Sequence, residues 1–167
     1  VMMEIETDEI INFVSQWNCK HFVLTGGEPM IQQKGWIELM MKLKVDHPFE
    51  YFFEVETNAT LPIDPQFDKL IDQYNCSPKL ASSGNQLELR RTKAFIQYTQ
   101  NPKASFKFVI CTQEDLKEVL EIIKEYSISN KQVILMPEGR TPNELHEKAL
   151  WLVELAKQHN FRFTPRL

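Results

Sequence analysis

Hydrophobic positions along this chain follow two alternating periods. Residues 21–25 form a short apolar run that stops at Gly26-Gly27, the pattern of a buried strand ending in a tight turn. Similar runs predict strands over 51–56 (Tyr-Phe-Phe-Glu-Val-Glu), 74–77, 106–110, 133–136 and 161–164. Between them, apolar residues recur at three- and four-residue intervals, which predicts helices. The first covers 7–17 through Ile10, Ile11, Val14 and Trp17, with Thr7 as a candidate N-cap. The second covers 31–44 through Trp36, Leu39, Met40 and Leu43. A short helix is expected over 67–71 and longer ones over 113–126, capped by Thr112, and 142–159. The last has the fullest start signal: Thr141 at the cap, Pro142 first, and Glu144 three residues after the cap. Residues 85–98 are polar with weak periodicity and receive no assignment.

Repeated strand-then-helix order, with apolar strands expected to be buried on both faces, argues for a parallel α/β domain. The 167 residues hold no repeat, low-complexity stretch or linker, so residues 1–167 read as one domain. Gly26-Gly27, Thr57-Asn58, Ser77-Pro78-Lys79, Cys111-Thr112 and Pro137-Glu138-Gly139 all fall just past a predicted strand's C-terminal end. In parallel α/β folds that edge is where ligands bind.

Composition narrows the classes of function. A net charge of −4, with Lys and Arg dispersed, lends no support to nucleic-acid or anionic-membrane binding. No apolar run is long enough to span a bilayer and no signal-peptide pattern opens the chain, so the cytoplasm is the expected compartment. Cys19, Cys76 and Cys111 lack the short spacing of zinc or redox motifs and read first as small hydrophobes in a reducing compartment. His21, His47, His146 and His159 show no metal spacing, and the last two are expected to be solvated on a surface helix. No catalytic side chain and no protein metal ligand is assigned from these patterns.

The strand ends carry the candidate chemistry. Two glycines after a buried strand let backbone amides approach a small anion or carboxylate. Glu28 beside them offers a carboxylate to an ammonium group, or simply caps a glycine turn. Glu56 and Asn58 suit ribose hydroxyls or a ligand's charged end, or else plain turn chemistry. Ser77 and Lys79 supply a hydroxyl and a cation, although a loop lysine is often just solvated. Lys107 interrupts the apolar run 106–110, so its ammonium is either inward and functional or at a sheet edge.

Taken in order, these segments resemble a known family. A strand ending in Gly26-Gly27-Glu28-Pro29 is similar to the motif by which radical S-adenosylmethionine enzymes receive the methionyl amino group. Glu56-Thr57-Asn58-Ala59-Thr60 resembles the Glu-Thr-Asn-Gly-Thr segment of 7-carboxy-7-deazaguanine synthases, and Ser77-Pro78-Lys79 their Ser-Pro-Lys. Phe106-Lys107-Phe108-Val109 resembles their Lys-Phe-Val strand. Met136-Pro137-Glu138-Gly139 and Phe163-Thr164-Pro165-Arg166-Leu167 complete a series running from Phe22 to the last residue. The resemblance implies a partial parallel βα barrel that binds S-adenosylmethionine through Gly26, Gly27, Glu28, Glu56, Asn58, Ser77, Pro78, Lys79, Lys107 and Met136. Thr25 and Arg166 are the implied substrate contacts.

For the complete enzyme, the resemblance implies radical ring contraction of 6-carboxytetrahydropterin to 7-carboxy-7-deazaguanine, on the route to queuosine. A four-iron, four-sulfur cluster, magnesium, an electron donor such as flavodoxin, and a homodimer belong to the same expectation. The family's cluster-binding cysteine loop, first strand and magnesium ligand lie upstream of Gly-Gly-Glu-Pro and have no counterpart here; Cys19, Cys76 and Cys111 do not replace them by spacing. The chain alone is therefore expected to be inactive. Ala59 stands where the family has glycine. Two competing readings remain at this level. One is a glycyl-radical-activating enzyme, which should lack the Ser-Pro-Lys and Pro-Arg-Leu elements; the other is a cluster-free S-adenosylmethionine-binding module.

Overall fold

The computed structural model describes residues 5–46 and 51–166. His47 and Leu167, named above, lie outside the described residues. The elements run α1 (Thr7–Val14), β1 (His21–Leu24), α2 (Gln33–Asp46), β2 (Phe52–Thr57), α3 (Pro65–Leu70), β3 (Gln73–Cys76), α4 (Leu87–Arg90), α5 (Phe95–Thr99), β4 (Ala104–Ile110), α6 (Gln113–Tyr126), β5 (Val133–Pro137), α7 (Pro142–His159) and β6 (Arg162–Phe163). All six strands are parallel and lie in sequence order, β1-β2-β3-β4-β5-β6. Each crossover therefore steps the same way, and right-handed crossovers then place every helix on one face. This is a βα barrel left open: β1 and β6 do not pair with each other.

The strands are not apolar on both faces, which corrects the expectation from sequence. On β4, Ala104, Phe106, Phe108 and Ile110 are buried under helices, while Ser105, Lys107 and Val109 alternate with them and are half-buried. β2 repeats the pattern, with Phe53, Val55 and Thr57 buried and Phe52, Glu54 and Glu56 on the other face. The inner face is accordingly polar. Glu54 pairs with His21 Nε2 at 2.8 Å and accepts from Asn75, whose Oδ1 accepts from Gln73 Nε2 at 2.8 Å. Arg162 Nη2 donates to Ser105 Oγ at 2.7 Å across the same face.

Helix boundaries show which local signals hold. Thr7 does not cap α1: the helix begins at Thr7 itself, Glu6 holds the cap position without a side-chain bond, and Val14 rather than Trp17 is the last residue. The expected helix over 31–44 splits into a 3₁₀ turn, Pro29–Gln32, and α2. Asp64 caps α3 by accepting from Gln66 N–H and Phe67 N–H. At α6, the Asp115 carboxylate accepts from Cys111 N–H and Thr112 N–H, at 2.7 and 2.9 Å. α7 keeps the predicted reciprocal cap, with Thr141 Oγ1 accepting from Glu144 N–H and Glu144 from the amides of Arg140 and Thr141. Those amides, Arg140 first, hold the Glu144 carboxyl below its usual range. His159 is half-buried and stacks on Phe161 with centroids 5.3 Å apart, so it is not the solvated side chain expected.

Gly139 connects β5 to α7 where a side chain has no room. A Cβ there would lie 2.9 Å from Leu145 Cδ2 and 3.2 Å from the Leu145 backbone nitrogen. The leucine tip can rotate away but the backbone cannot. Gly139→Ala is expected to destabilise the fold by about 1–3 kcal/mol in a urea titration, and an unchanged midpoint would mean the loop is looser than described.

Candidate functional site

Parallel strands in sequence order bring every candidate loop to one edge of the sheet. The edge is stitched together by the loops themselves. Glu28 Oε1 accepts from Thr57 Oγ1 at 2.7 Å and from Met30 N–H at 3.2 Å, while its Oε2 accepts from Asn58 N–H at 2.9 Å. Ser77 N–H donates to Thr57 O at 2.7 Å, Glu138 N–H to Ile110 O at 2.9 Å, and Thr164 N–H to Leu135 O at 3.0 Å. Glu28 therefore caps a turn and also ties the β1 loop to the end of β2. Three of its roughly four acceptor positions are filled from within the chain.

Gly26 sits at φ +127° and Gly27 follows it, both exposed, and a Cβ built at either would meet nothing within 4 Å. Only the first needs glycine for its backbone angle. Their amides are open to a ligand, and Thr25 beside them is exposed. The next turn uses Asn58 as an Asx-type cap: its Oδ1 accepts from Thr60 N–H at 2.9 Å and Thr60 Oγ1 at 2.5 Å. The left-handed residue is not Asn58 but Ala59, at φ +60° and fully buried. The turn thus adopts the conformation that favours the family's glycine, at a backbone cost of about 1–2 kcal/mol that methyl burial partly offsets.

A pocket of about 460 Å³ opens at the same edge between β3 and β6. Ser77, Pro78, Lys79, Met136 and Arg166 all line it, together with Cys111. Among the described residues, the Ser77 hydroxyl, the Lys79 ammonium and the Arg166 guanidinium have no hydrogen-bond or carboxylate partner. Glu138, also at the wall, is neutralised by Lys148 at 2.9 Å. The pocket consequently offers two uncommitted cations and a hydroxyl beside the flexible thioether of Met136, a lining suited to a ligand that carries an anionic group.

The remaining predicted residues lie outside that pocket. Lys107 points to the inner face rather than to a sheet edge, with its Nζ 3.7 Å from Glu56 Oε1 across β3. Thr25, Gly26, Gly27, Glu28 and Asn58 form a second cluster at the ends of β1 and β2. Sequence reasoning missed Asp115 and Glu118, which hold the β4 and β3 loops from α6; an acid at N3 of a helix was the available signal for the first.

The three cysteines do not converge. Cys19 precedes β1 at the N-terminal edge, Cys111 follows β4 at the opposite edge, and Cys76 is buried on the helix-facing side of β3. Burial pushes the Cys76 thiol well up, which keeps it protonated and inert. Among the described residues, no group of three His, Cys, Asp or Glu side chains is placed to hold a metal ion. The residues described here thus fit neither a four-iron, four-sulfur cluster nor a magnesium site of that kind. No helix among them is long and apolar enough to cross a membrane.

No protein-family model matches the sequence. Curated relatives do. A 7-carboxy-7-deazaguanine synthase of Pyrobaculum aerophilum is 36% identical over 148 residues, covering 88% of this chain and 63% of that protein. One of Halobacterium salinarum is 31% identical over 186 residues, covering 98% and 69%. One of Aquifex aeolicus is 28% identical, covering 98% and 70%. The chain thus spans 63–70% of the length of these relatives. With the strand-end motifs gathered at one edge and this similarity across nearly its whole length, the chain belongs to the 7-carboxy-7-deazaguanine synthase family.

Proposed function

We propose that the pocket between β3 and β6 receives S-adenosylmethionine, within an enzyme that contracts 6-carboxytetrahydropterin to 7-carboxy-7-deazaguanine. The carrying observation is that Ser77, Lys79, Met136 and Arg166 line one pocket and that the Ser77 hydroxyl, Lys79 ammonium and Arg166 guanidinium have no partner among the described residues. Its volume of about 460 Å³ suits a ligand of that size. Lys79 would pair with the methionyl carboxylate and Ser77 with a ribose hydroxyl. The backbone at Met136 would read an adenine edge. Thr25 and Arg166 would meet the pterin, whose carboxylate suits the guanidinium. The open amides of Gly26 and Gly27 lie outside this pocket, past the end of β1, and would serve an anionic group that reaches along the edge toward them.

When bound, S-adenosylmethionine supplies the hydrogen-abstracting adenosyl group of this reaction class. The chain's own contribution is to bind it, orient it against the substrate and exclude water. The described cysteines are scattered over two edges and the helix side of the sheet. For this reason the chain by itself is expected to bind the cofactor without completing the reaction. That placement also favours the binding-module reading for the isolated chain. The test is a turnover assay with S-adenosylmethionine, 6-carboxytetrahydropterin, magnesium and a flavodoxin reductant. The protein supplemented with a cluster-bearing segment from a relative should form 7-carboxy-7-deazaguanine, whereas the chain alone should not. Turnover by the chain alone, or an inert supplemented protein that binds no S-adenosylmethionine, would overturn the proposal.

A further inference from the structure

The loop carrying Ser77 and Lys79 is gripped from behind by three residues outside the pocket. Arg90 and Arg91, at the end of α4, both donate to the carbonyl oxygen of Lys79, from Nη1 at 3.4 Å and Nη1 at 3.1 Å respectively. Both guanidinium groups also meet Oε1 of Glu118 on α6, Arg91 Nη2 at 3.3 Å and Arg90 Nη1 closer still. The second oxygen of Glu118 accepts from Ala81 N–H at 2.7 Å. The chain is thereby held at Lys79 and again at Ala81, on either side of the buried Leu80. Ser77 to Lys79 before this clamp, and Ser82 and Ser83 after it, all line the pocket.

A cluster this sheltered, with arginine side chains 8% exposed, is poorly explained as a source of stability. Charges removed from water are costly, and apolar residues of similar volume often stabilise as well or better. What a planar guanidinium fork supplies is direction, because its donors leave at fixed angles.

We propose that Arg90, Arg91 and Glu118 are positioning residues for the pocket, fixing the segment from Lys79 to Ala81 so that Lys79 and Ser77 meet the ligand's carboxylate and ribose. The inference rests on the pocket's receiving S-adenosylmethionine, as proposed above. It predicts coupling between Glu118 and Lys79 that general destabilisation does not produce. S-adenosylmethionine is titrated calorimetrically into the wild type, Glu118→Gln, Arg91→Lys, Lys79→Met and the double variant Glu118→Gln/Lys79→Met, each checked for folding by near-ultraviolet circular dichroism. Glu118→Gln and Arg91→Lys should each weaken binding about tenfold, and in the Lys79→Met background the Glu118→Gln effect should fall below about threefold. Wild-type binding together with unaltered affinity in both single variants would overturn the inference and leave the pocket reading intact. A loss that is equally large in both backgrounds would overturn it too, since Glu118 would not then act through Lys79. Should Glu118→Gln fail to fold, Arg91→Lys and its double variant with Lys79→Met carry the same comparison. No binding by the wild type would instead sink the pocket reading, and the inference with it.

Discussion

Phe106→Ala is expected to lower the unfolding free energy by about 3–5 kcal/mol. Phe106 occupies the middle of β4, in register with Cys76 on one side and Val133 on the other. Its side chain is fully buried, with the ring 5.8 Å from that of Phe95 at an interplanar angle of 72°. Phe95 in turn packs edge-on to Tyr126 of α6 at 4.9 Å. Truncation would remove the sheet's member of a chain of ring contacts that runs through Phe95 of α5 to Tyr126 of α6, and paired strands on both sides limit how far the backbone can collapse into the gap. Phe106→Leu, which conserves most of the volume, should cost less than about 1.5 kcal/mol. Urea unfolding followed by circular dichroism measures both. A loss below about 1 kcal/mol for the alanine variant would contradict the packing described for β4.

Glu28→Ala should cost about 3 kcal/mol even with no ligand present. Its carboxylate serves Thr57 Oγ1, Met30 N–H and Asn58 N–H, and Thr57 is only 4% exposed. Hydrogen bonds to a charged group contribute about 1.5–3 kcal/mol each, and part of that sum returns as exposed donors rehydrate. Glutamine is a poor repair, because its amide nitrogen would face a donor wherever it points. The measurement separates two roles for this residue. A carboxylate kept for a ligand's ammonium group would leave ligand-free stability unchanged on removal, while one that ties β1 to β2 would not. An alanine variant as stable as the wild type would contradict the role assigned to Glu28 in holding the site together.

The parts of the fold that the sequence made legible are those with repeated local signals. α7 shows its cap, its first-turn proline and its apolar spacing within the chain itself, and the structure places it at Pro142–His159 as expected. Residues 85–98 lacked such a signal for a physical reason. α4 and α5 have four and five residues, too short to be helical by propensity. They are held by Glu118, some 28 residues away in sequence, and by the burial of Phe95. The polar inner face was legible in principle, because Phe52-Phe53-Glu54-Val55-Glu56 alternates, and reading the strands as buried on both sides overlooked that period. At the site, the strand-end pattern put Ser77, Lys79 and Met136 at the C-terminal edge of the sheet, and the structure brings them together with Arg166 around one pocket. The internal bonds of Glu28 and the clamp on Lys79 depend on contacts between distant segments, which no single stretch of sequence displays.

The central claim, that the pocket between β3 and β6 is where S-adenosylmethionine sits, is tested most directly by thiol footprinting. Cys111 lines the pocket, Cys19 is exposed at the opposite edge, and buried Cys76 serves as the unreactive control. With S-adenosylmethionine at ten times its dissociation constant, alkylation of Cys111 should slow about tenfold while that of Cys19 is unchanged. Equal rates at Cys111 with and without saturating ligand would contradict the claim.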